Sequence, residues 1–172
     1  WNNLGASLES LGDKQQAKNA YAEAIRLNPN HAEAQNNLGA IYSEEGKIDA
    51  ARKHFEAAIT ANPDFVEAHY NLSQIKSYSP HDPHLDFLEA CTHKIDHYSV
   101  QARIHYYFAF GKALDDTKQY ARAFKAYAEG NRLHYLQKPW NKSKLQTLVE
   151  QLTEIFTQSF LKPREQTKDQ KL

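Results

Sequence analysis

The amino-acid sequence predicts an all-α fold: a right-handed solenoid of helix-turn-helix hairpins, with an irregular third hairpin and a C-terminal helix. A Leu-Gly pair occurs at Gly5 and again at Gly39, a difference of 34 in residue number. Apolar residues around each pair recur at the three- and four-residue spacing of a helix. A further copy of the pattern returns at Gly111 in "FAFGKALDD", later by four positions than two more such steps would place it. Because no single hairpin buries both of its faces, the repeat predicts hairpins that stack.

The first two repeats, residues 1–64, match position by position. Small residues let the two helices of a hairpin approach closely, and a large aromatic residue fills the space between hairpins. Gly12 and Gly46 supply the turn between helices, and Pro29 and Pro63 end each second helix because proline cannot continue it. The aligned pairs are Trp1/Gln35, Leu4/Leu38, Gly5/Gly39, Leu8/Tyr42, Ala17/Ala51, Tyr21/Phe55, Ala24/Ala58 and Pro29/Pro63. The pattern resembles the tetratricopeptide repeat (TPR), which implies a protein-binding solenoid.

Residues 65–102 are predicted to form a third, irregular repeat. "VEAHYNLSQI", from Val66 to Ile75, makes its first helix, and "HLDFLEACTHKID", from His84 to Asp96, makes the partner helix. Between them "SPHDP" breaks the chain, and Pro80 and Pro83 lengthen the turn. The displacement of the later copy is therefore predicted to be an insertion inside this repeat, after its first helix.

The rest of the chain is predicted to hold one more repeat-like hairpin (103–136), a capping or linking helix (141–161) and a polar tail (162–172). Signature positions of the hairpin are filled by Tyr107, Phe110, Gly111, Leu114, Ala123, Tyr127 and Gly130. The terminal helix carries one apolar stripe, at Leu145, Leu148, Leu152, Ile155, Phe156 and Phe160. With exposed Trp140, this stripe could cover a neighbouring domain, cover a second subunit, or cap the solenoid.

The composition argues against a nucleic-acid-binding protein and against a membrane partner. Among 172 residues, 21 Lys and Arg balance 21 Asp and Glu, which argues against a nucleic-acid binder with a basic stripe. Mean hydropathy is −0.78 and no apolar run is long enough to cross a bilayer, so we expect no membrane partner. The lone Cys91 permits no intrachain disulfide and favours a reducing, cytoplasmic location. No secretory signal opens the chain. Since the chain begins at Trp1 within a repeat, further residues are expected upstream.

A narrower resemblance runs from His69 to Phe160. The motifs that carry it are Asp82-Pro83, "FAFGKALDD" (108–116), Tyr120, Ala123-Phe124 and Gly130-Asn131. They resemble the amino-terminal region of TPR-containing sulfotransferases. In that family a helix like the terminal one leads into a catalytic domain with a Pro-Arg-Ser-Gly-Thr loop that binds the phosphosulfate donor, PAPS. No such loop occurs here. The resemblance implies a helical arm without catalytic residues or cofactor of its own, with PAPS bound only if a catalytic domain lies beyond Leu172.

Several residue groups could carry chemistry, but each is better explained otherwise. Cys91 and His93 lie on different faces of a helix, so a structural thiol is favoured over a nucleophile–base pair. His93 and His97 could share a metal if one helix continued through Asp96, but no third ligand is fixed, and no metal site is predicted. Adjacent Asp115 and Asp116 diverge by about 100° on a helix, so solvation near a turn is favoured over general-acid chemistry. Exposed positions near helix ends are expected for the clustered histidines His69, His81, His84, His93, His97 and His105.

A binding groove is predicted on the concave face, which the first helices of such hairpins line. Asn3, Asn37 and Asn71 recur at the interval of the repeat and could bond the backbone of an extended peptide. This ladder resembles that of O-linked N-acetylglucosamine transferases. Some repeat domains bind the carboxy-terminal carboxylate of a partner in a clamp of basic and amide side chains. Glu33 and Glu67 would repel such a carboxylate, so that mode of binding is not expected here. The predicted groove residues are Asn2, Asn3, Glu33, Asn36, Asn37, Ala40, Glu67, Tyr70, Asn71, Gln74, His105, Lys112 and Asp115.

The sequence thus predicts a module that binds a protein or peptide, and no enzyme activity in this chain. The favoured hypothesis is the N-terminal arm of a sulfotransferase, whose groove presents a polypeptide or contacts its own downstream catalytic domain. The alternatives are a stand-alone scaffold or adaptor, and the arm of another transferase such as an O-linked N-acetylglucosamine transferase. The sequence leaves the partner and the oligomeric state open.

Overall fold

The computed structural model describes residues 1–137 and 142–155, which belong to two separate units, Trp1–Gln137 and Lys138–Leu172. Every regular element in the described ranges is helical, which confirms the predicted fold class. The first unit contains α1 (Asn2–Ser10), α2 (Lys14–Leu27), α3 (Ala32–Glu44), α4 (Ile48–Ala61), α5 (Val66–Ile75), α6 (Pro83–Cys91), a 3₁₀ turn (Ile95–His97), α7 (Val100–Asp116) and α8 (Tyr120–Gln137).

Each regular hairpin is closed by a glycine that touches an aromatic ring. A Cβ placed on Gly5 would lie 2.5 Å from the ring of Tyr21, and one on Gly39 would lie 2.7 Å from that of Phe55. A Cβ placed on Gly111 would likewise lie 2.7 Å from the ring of Tyr127. Only glycine allows this approach, because real Cβ atoms do not come within 3.0 Å of other heavy atoms. The predicted close packing of the first two hairpins is confirmed, and the displaced copy repeats it.

The turns inside these hairpins share one hydrogen-bond pattern, the Schellman motif. In the second hairpin the N–H of Gly46 donates to the carbonyl of Ser43, and the N–H of Lys47 to that of Tyr42. The motif needs a left-handed residue, and Gly12 and Gly46 supply it with φ of 83° and 75°. In the last hairpin this left-handed position is occupied by Lys118, with φ of 62°. A lysine there is strained, since its Cβ crowds the backbone.

The second helices end as predicted, just before a proline. Asn28 and Asn62 are extended, with φ of −140° and −144°, because the residue before proline is pushed out of the helical region. Each asparagine side chain then accepts a hydrogen bond from the backbone N–H two residues later, at Asn30 and Asp64. These bonds turn the chain into the next first helix.

The third hairpin is opened rather than merely lengthened. Helix α5 packs closely along α7 and meets α6 through side chains such as His69 and Phe87, and α6 also packs on α7. Helix α6 begins where Asp82 caps it by accepting the N–H of His84 at 2.9 Å. The predicted partner helix through Asp96 is wrong at its end, because the helix stops at Cys91. The chain then tightens into i→i−3 bonds and buries Ile95, which is 6% exposed.

The second unit contains one described helix, α9 (Lys142–Ile155). Its apolar side chains Leu145, Leu148, Val149 and Leu152 are between 42% and 51% exposed. Trp140, Phe156, Phe160 and the predicted polar tail lie outside the described residues. No helix within the described ranges has both the length and the apolar character that a bilayer crossing requires. The boundaries predicted for the five segments of the chain stay predictions.

Candidate functional site

Hydrogen bonds between first helices tie neighbouring hairpins together at equivalent positions. The amide of Asn2 donates to the carboxylate of Glu33 at 3.1 Å, and the amide of Asn36 donates to that of Glu67 at 3.3 Å. Both pairs are 31 residues apart in sequence. The predicted groove residues Asn2, Glu33, Asn36 and Glu67 are therefore brought together in pairs, one pair for each junction between hairpins.

The asparagine ladder is partly occupied by the protein itself. The amide of Asn37 donates to Oδ1 of Asn2 at 3.3 Å, and that of Asn71 to Oδ1 of Asn36 at 2.9 Å. The side-chain N–H groups of two ladder residues are thus directed along the solenoid, between hairpins. Asn3, at the start of the ladder, is exposed.

At the third junction the polar pair is replaced by two aromatic rings. Tyr70 occupies the position of Asn36 one repeat later, and His105 takes the position of Glu67 once the insertion is allowed for. The rings of Tyr70 and His105 stack with centroids 5.0 Å apart and planes 14° apart. The three pairs, Asn2–Glu33, Asn36–Glu67 and Tyr70–His105, are called the inter-hairpin row below.

The other predicted groove residues differ in their surroundings. Ala40 is half-buried, and Asp115 is exposed. Exposed Gln74 donates its amide to the hydroxyl of Ser73 at 3.2 Å. Lys112 is engaged by the protein: its ammonium donates to the carbonyl of Lys76 at 3.0 Å and to a neighbouring carboxylate at 2.6 Å.

The inter-hairpin row carries negative charge. Glu33 and Glu67 are exposed, and their hydrogen-bond partners in the row are neutral amides. Burial lowers the pKa of His105, and the nearby Glu67 carboxylate opposes that change only in part. His105 is therefore neutral at pH 7 and does not cancel the charge of Glu67.

Sequence reasoning missed a tether that holds the inserted segment. Asp116 accepts a hydrogen bond from the backbone N–H of Tyr78 at 3.0 Å, in addition to its ion pair with Lys112. Lys76 pairs with the capping carboxylate of Asp82 at 2.8 Å. The expected solvated role fits exposed Asp115 but is wrong for Asp116, which is a structural anchor. The contact spans 38 residues, so the local pattern around "DD" could not reveal it.

Two of the clustered histidines, buried His69 and half-buried His84, lie in one hydrogen-bonded chain, which corrects the expectation that they are exposed. His69 is 2% exposed; its Nε2 lies 2.9 Å from the carbonyl oxygen of Pro63 and its Nδ1 lies 2.8 Å from Nε2 of His84. Nδ1 of His84 lies 2.7 Å from the hydroxyl of Tyr78. The ring of Phe87 stacks on His69 with centroids 4.5 Å apart, and His84 lies edge to edge with His69 in nearly the same plane.

The carbonyl of Pro63 fixes every proton in this chain of groups. A carbonyl only accepts, so neutral His69 donates from Nε2 and accepts at Nδ1. His84 must then donate from Nε2 and accept from Tyr78 at Nδ1. Burial lowers the pKa of His69, and burial together with the neighbouring His69 lowers that of His84 to about 3. The chain of groups is therefore neutral and structural.

The remaining chemical candidates do not assemble into a site. Cys91 is 7% exposed and burial raises the pKa of its thiol, as befits the structural role predicted for it. His93 lies in the turn after α6 and His97 in the 3₁₀ turn, so the continuous helix that a shared metal would need is absent. Within residues 1–137 and 142–155, no three His, Cys, Asp or Glu side chains are placed to hold a metal ion.

Comparison with known proteins agrees with this architecture. Residues 1–31 and 32–65 match the model of the tetratricopeptide repeat. A solved structure described as "MamA RS-1 ArsTM double mutant" is 22% identical and covers 81% of this chain and 76% of its own, with a TM-score of 0.53. A second, "Crystal structure of MamA", is 18% identical and covers 79% and 97%, with a TM-score of 0.43. No curated protein matches the chain. None of these comparisons supports the sulfotransferase resemblance.

Proposed function

We infer that the first unit binds other proteins, because residues 1–65 match the tetratricopeptide repeat and TPR-like solenoids bind proteins along extended surfaces. We propose that this chain is a scaffold module that binds an extended polypeptide segment along its first-helix face, the face formed by α1, α3, α5 and α7. The observation that carries the proposal is the inter-hairpin row. It places exposed carboxylates, at Glu33 and Glu67, and half-buried rings, at Tyr70 and His105, at equivalent positions of successive hairpins.

A stand-alone scaffold is favoured over the arm of a sulfotransferase. The residues that carry the sulfotransferase resemblance have structural roles here: Asp82 caps α6, Gly111 admits the ring of Tyr127, and Asp116 holds the inserted segment. These roles account for the residues as parts of an irregular hairpin, so they do not require a catalytic domain. The arm of an O-linked N-acetylglucosamine transferase is disfavoured because the amides of Asn37 and Asn71 already bond within the solenoid.

Site-specific crosslinking tests the proposed binding face. Benzoylphenylalanine is introduced at Gln74, which is exposed on α5, and in a matched variant at Glu56, which is exposed on the second helix α4. Each protein is irradiated with a mixture of random decapeptides and analysed by mass spectrometry. We expect peptide adducts at position 74 in clear excess over position 56. Equal labelling at both positions, or none at position 74, would contradict the proposal.

A further inference from the structure

We propose that the first-helix face selects a basic segment, and that an arginine side chain of the partner sits beside Glu67, against the stacked rings of Tyr70 and His105. The inference rests on the proposed function and names the chemistry of its partner. It comes from two features of the inter-hairpin row: the neutral partners of its carboxylates and its change from polar to aromatic at one junction.

The carboxylates of the row differ from five glutamates elsewhere on the molecule. Five glutamates outside it are paired with lysine or arginine at 2.5 to 2.8 Å: Glu23, Glu44, Glu45, Glu89 and Glu129. Glu33 and Glu67 are held instead by the amides of Asn2 and Asn36, which orient a carboxylate without cancelling its charge. The predicted groove cation Lys112 is committed to Asp116 at 2.6 Å. The row therefore displays oriented negative charge, to which a cationic segment is complementary.

The aromatic junction defines where a cation would be held most firmly. Tyr70 and His105 are both half-buried and nearly parallel, and Glu67 is close enough to His105 to act on its charge state. A carboxylate next to aromatic rings offers a cation both an ion pair and a cation–π contact. A guanidinium suits this arrangement better than an ammonium, because its plane stacks on rings while its edge donates to a carboxylate.

Fluorescence anisotropy with four labelled octapeptides of alternating sequence tests the inference: glycine-arginine, glycine-lysine, glycine-glutamine and glycine-glutamate. We expect affinity to fall in that order, and the affinity for glycine-arginine to drop as NaCl rises from about 50 mM to about 300 mM, since exposed ion pairs are screened. Glu67→Gln keeps a carbonyl that can accept from Asn36 but removes the charge. It should weaken binding of the glycine-arginine peptide by about tenfold, in line with a partly desolvated cation site.

The controls separate charge, fold and position. Glu56→Gln makes the same change on α4 and should leave the affinity within about twofold, since single surface charges contribute little. Glu33→Gln should weaken binding of both cationic peptides without altering the preference for arginine over lysine. Melting temperatures of all variants show whether the solenoid is intact.

Each outcome bears on one proposal or the other. If the glutamine peptide binds as tightly as the arginine peptide, the basic preference is wrong while the binding face stands. If Glu67→Gln and Glu56→Gln weaken binding equally, the proposed position of the arginine beside Glu67 is wrong. If no peptide binds, this inference fails, and the crosslinking at Gln74 decides separately on the proposed function.

Discussion

The carboxylate of Asp116, at the end of α7, accepts a hydrogen bond from the backbone N–H of Tyr78 in the segment between α5 and α6, at a distance of 3.0 Å. Tyr78 is 6% exposed, so its N–H has no ready replacement partner in water. The ammonium groups of Lys76 and Lys112 lie 5.2 and 5.8 Å from the centroid of the Tyr78 ring. One carboxylate thus fixes the path of the inserted segment across the opened hairpin.

Removing this tether should destabilise the first unit. Asp116→Ala leaves the backbone N–H of Tyr78 without its acceptor, and we expect the free energy of unfolding to fall by about 1.5–3 kcal/mol, the usual size for a hydrogen bond to a charged group. Urea denaturation followed by circular dichroism measures it. The neighbouring variant Asp115→Ala, at an exposed position, should change the free energy by less than about 0.5 kcal/mol. Equal effects of the two substitutions would refute the anchoring role of Asp116.

A substitution in the turn of the last hairpin should stabilise the first unit. Lys118 has φ of 62° where the first two hairpins use glycine. Lys118→Gly removes the strain of a left-handed residue with a Cβ, and we expect a gain of about 1 kcal/mol after the added entropy of the unfolded chain. The reciprocal variant Gly46→Lys should cost about 1–2 kcal/mol. Both are read as shifts of the urea midpoint, and a loss of stability in Lys118→Gly would show that the side chain of Lys118 contributes more than its strain costs.

The contact between Gly39 and Phe55 should tolerate no added atom. Gly39→Ala places a Cβ 2.7 Å from a ring that is 1% exposed, so the ring cannot move aside. We expect a loss of about 1–3 kcal/mol, the range for overpacking a close-packed core. Gly46→Ala is the control, because it meets no atom within 4 Å and adds only backbone strain.

A double-mutant cycle separates the steric term at this contact. In the background of Phe55→Leu, which removes the ring, Gly39→Ala should cost clearly less than in the native background. Additive effects of the two substitutions would mean that the clash is not the cause.

The sequence predicted the regular part of this molecule because the regular part is local. The approach of Gly39 to Phe55 and the end of α4 before Pro63 follow from spacings within a single repeat. The inter-hairpin pairs could have been predicted by comparing one repeat with the next. Asn2 with Glu33, and Asn36 with Glu67, recur at the same separation of 31, and that coincidence could have revealed both bonds.

The irregular unit was harder because its contacts depend on the path of the insertion. Spacing alone located the extra residues between Ile75 and Pro83. It could not show that α7 would pack closely along α5, since that contact joins segments distant in sequence. His69 is buried against Phe87 and His84 of α6, in contacts that cross the inserted segment. A histidine at helical spacing from apolar Val66 and Leu72, as His69 is, was the available signal.

The hydrogen-bonded histidines His69 and His84 make the stability of the fold depend on pH in a definite direction. His84 has a pKa of about 3 in the folded protein and about 6.5 when unfolded, and the pKa of His69 is lowered as well. Between those values the unfolded chain binds protons that the folded chain does not. Stability is therefore complete above about pH 6.5 and is lost as the pH falls toward 3.

Between pH 7 and pH 5, His84 alone should remove about 2 kcal/mol from the free energy of unfolding, because each unit of pH below the unfolded pKa corresponds to about 1.4 kcal/mol. Urea titrations at both pH values measure this loss. His84→Gln carries no titrating group at this position, so its loss over the same interval should be smaller by that amount, although the variant is less stable at pH 7. His93→Gln, at an exposed position, is the matched control and should behave like the native chain. If His84→Gln shows the full native loss, the proton uptake belongs to other groups and the neutral chain from Tyr78 to Pro63 is not its source.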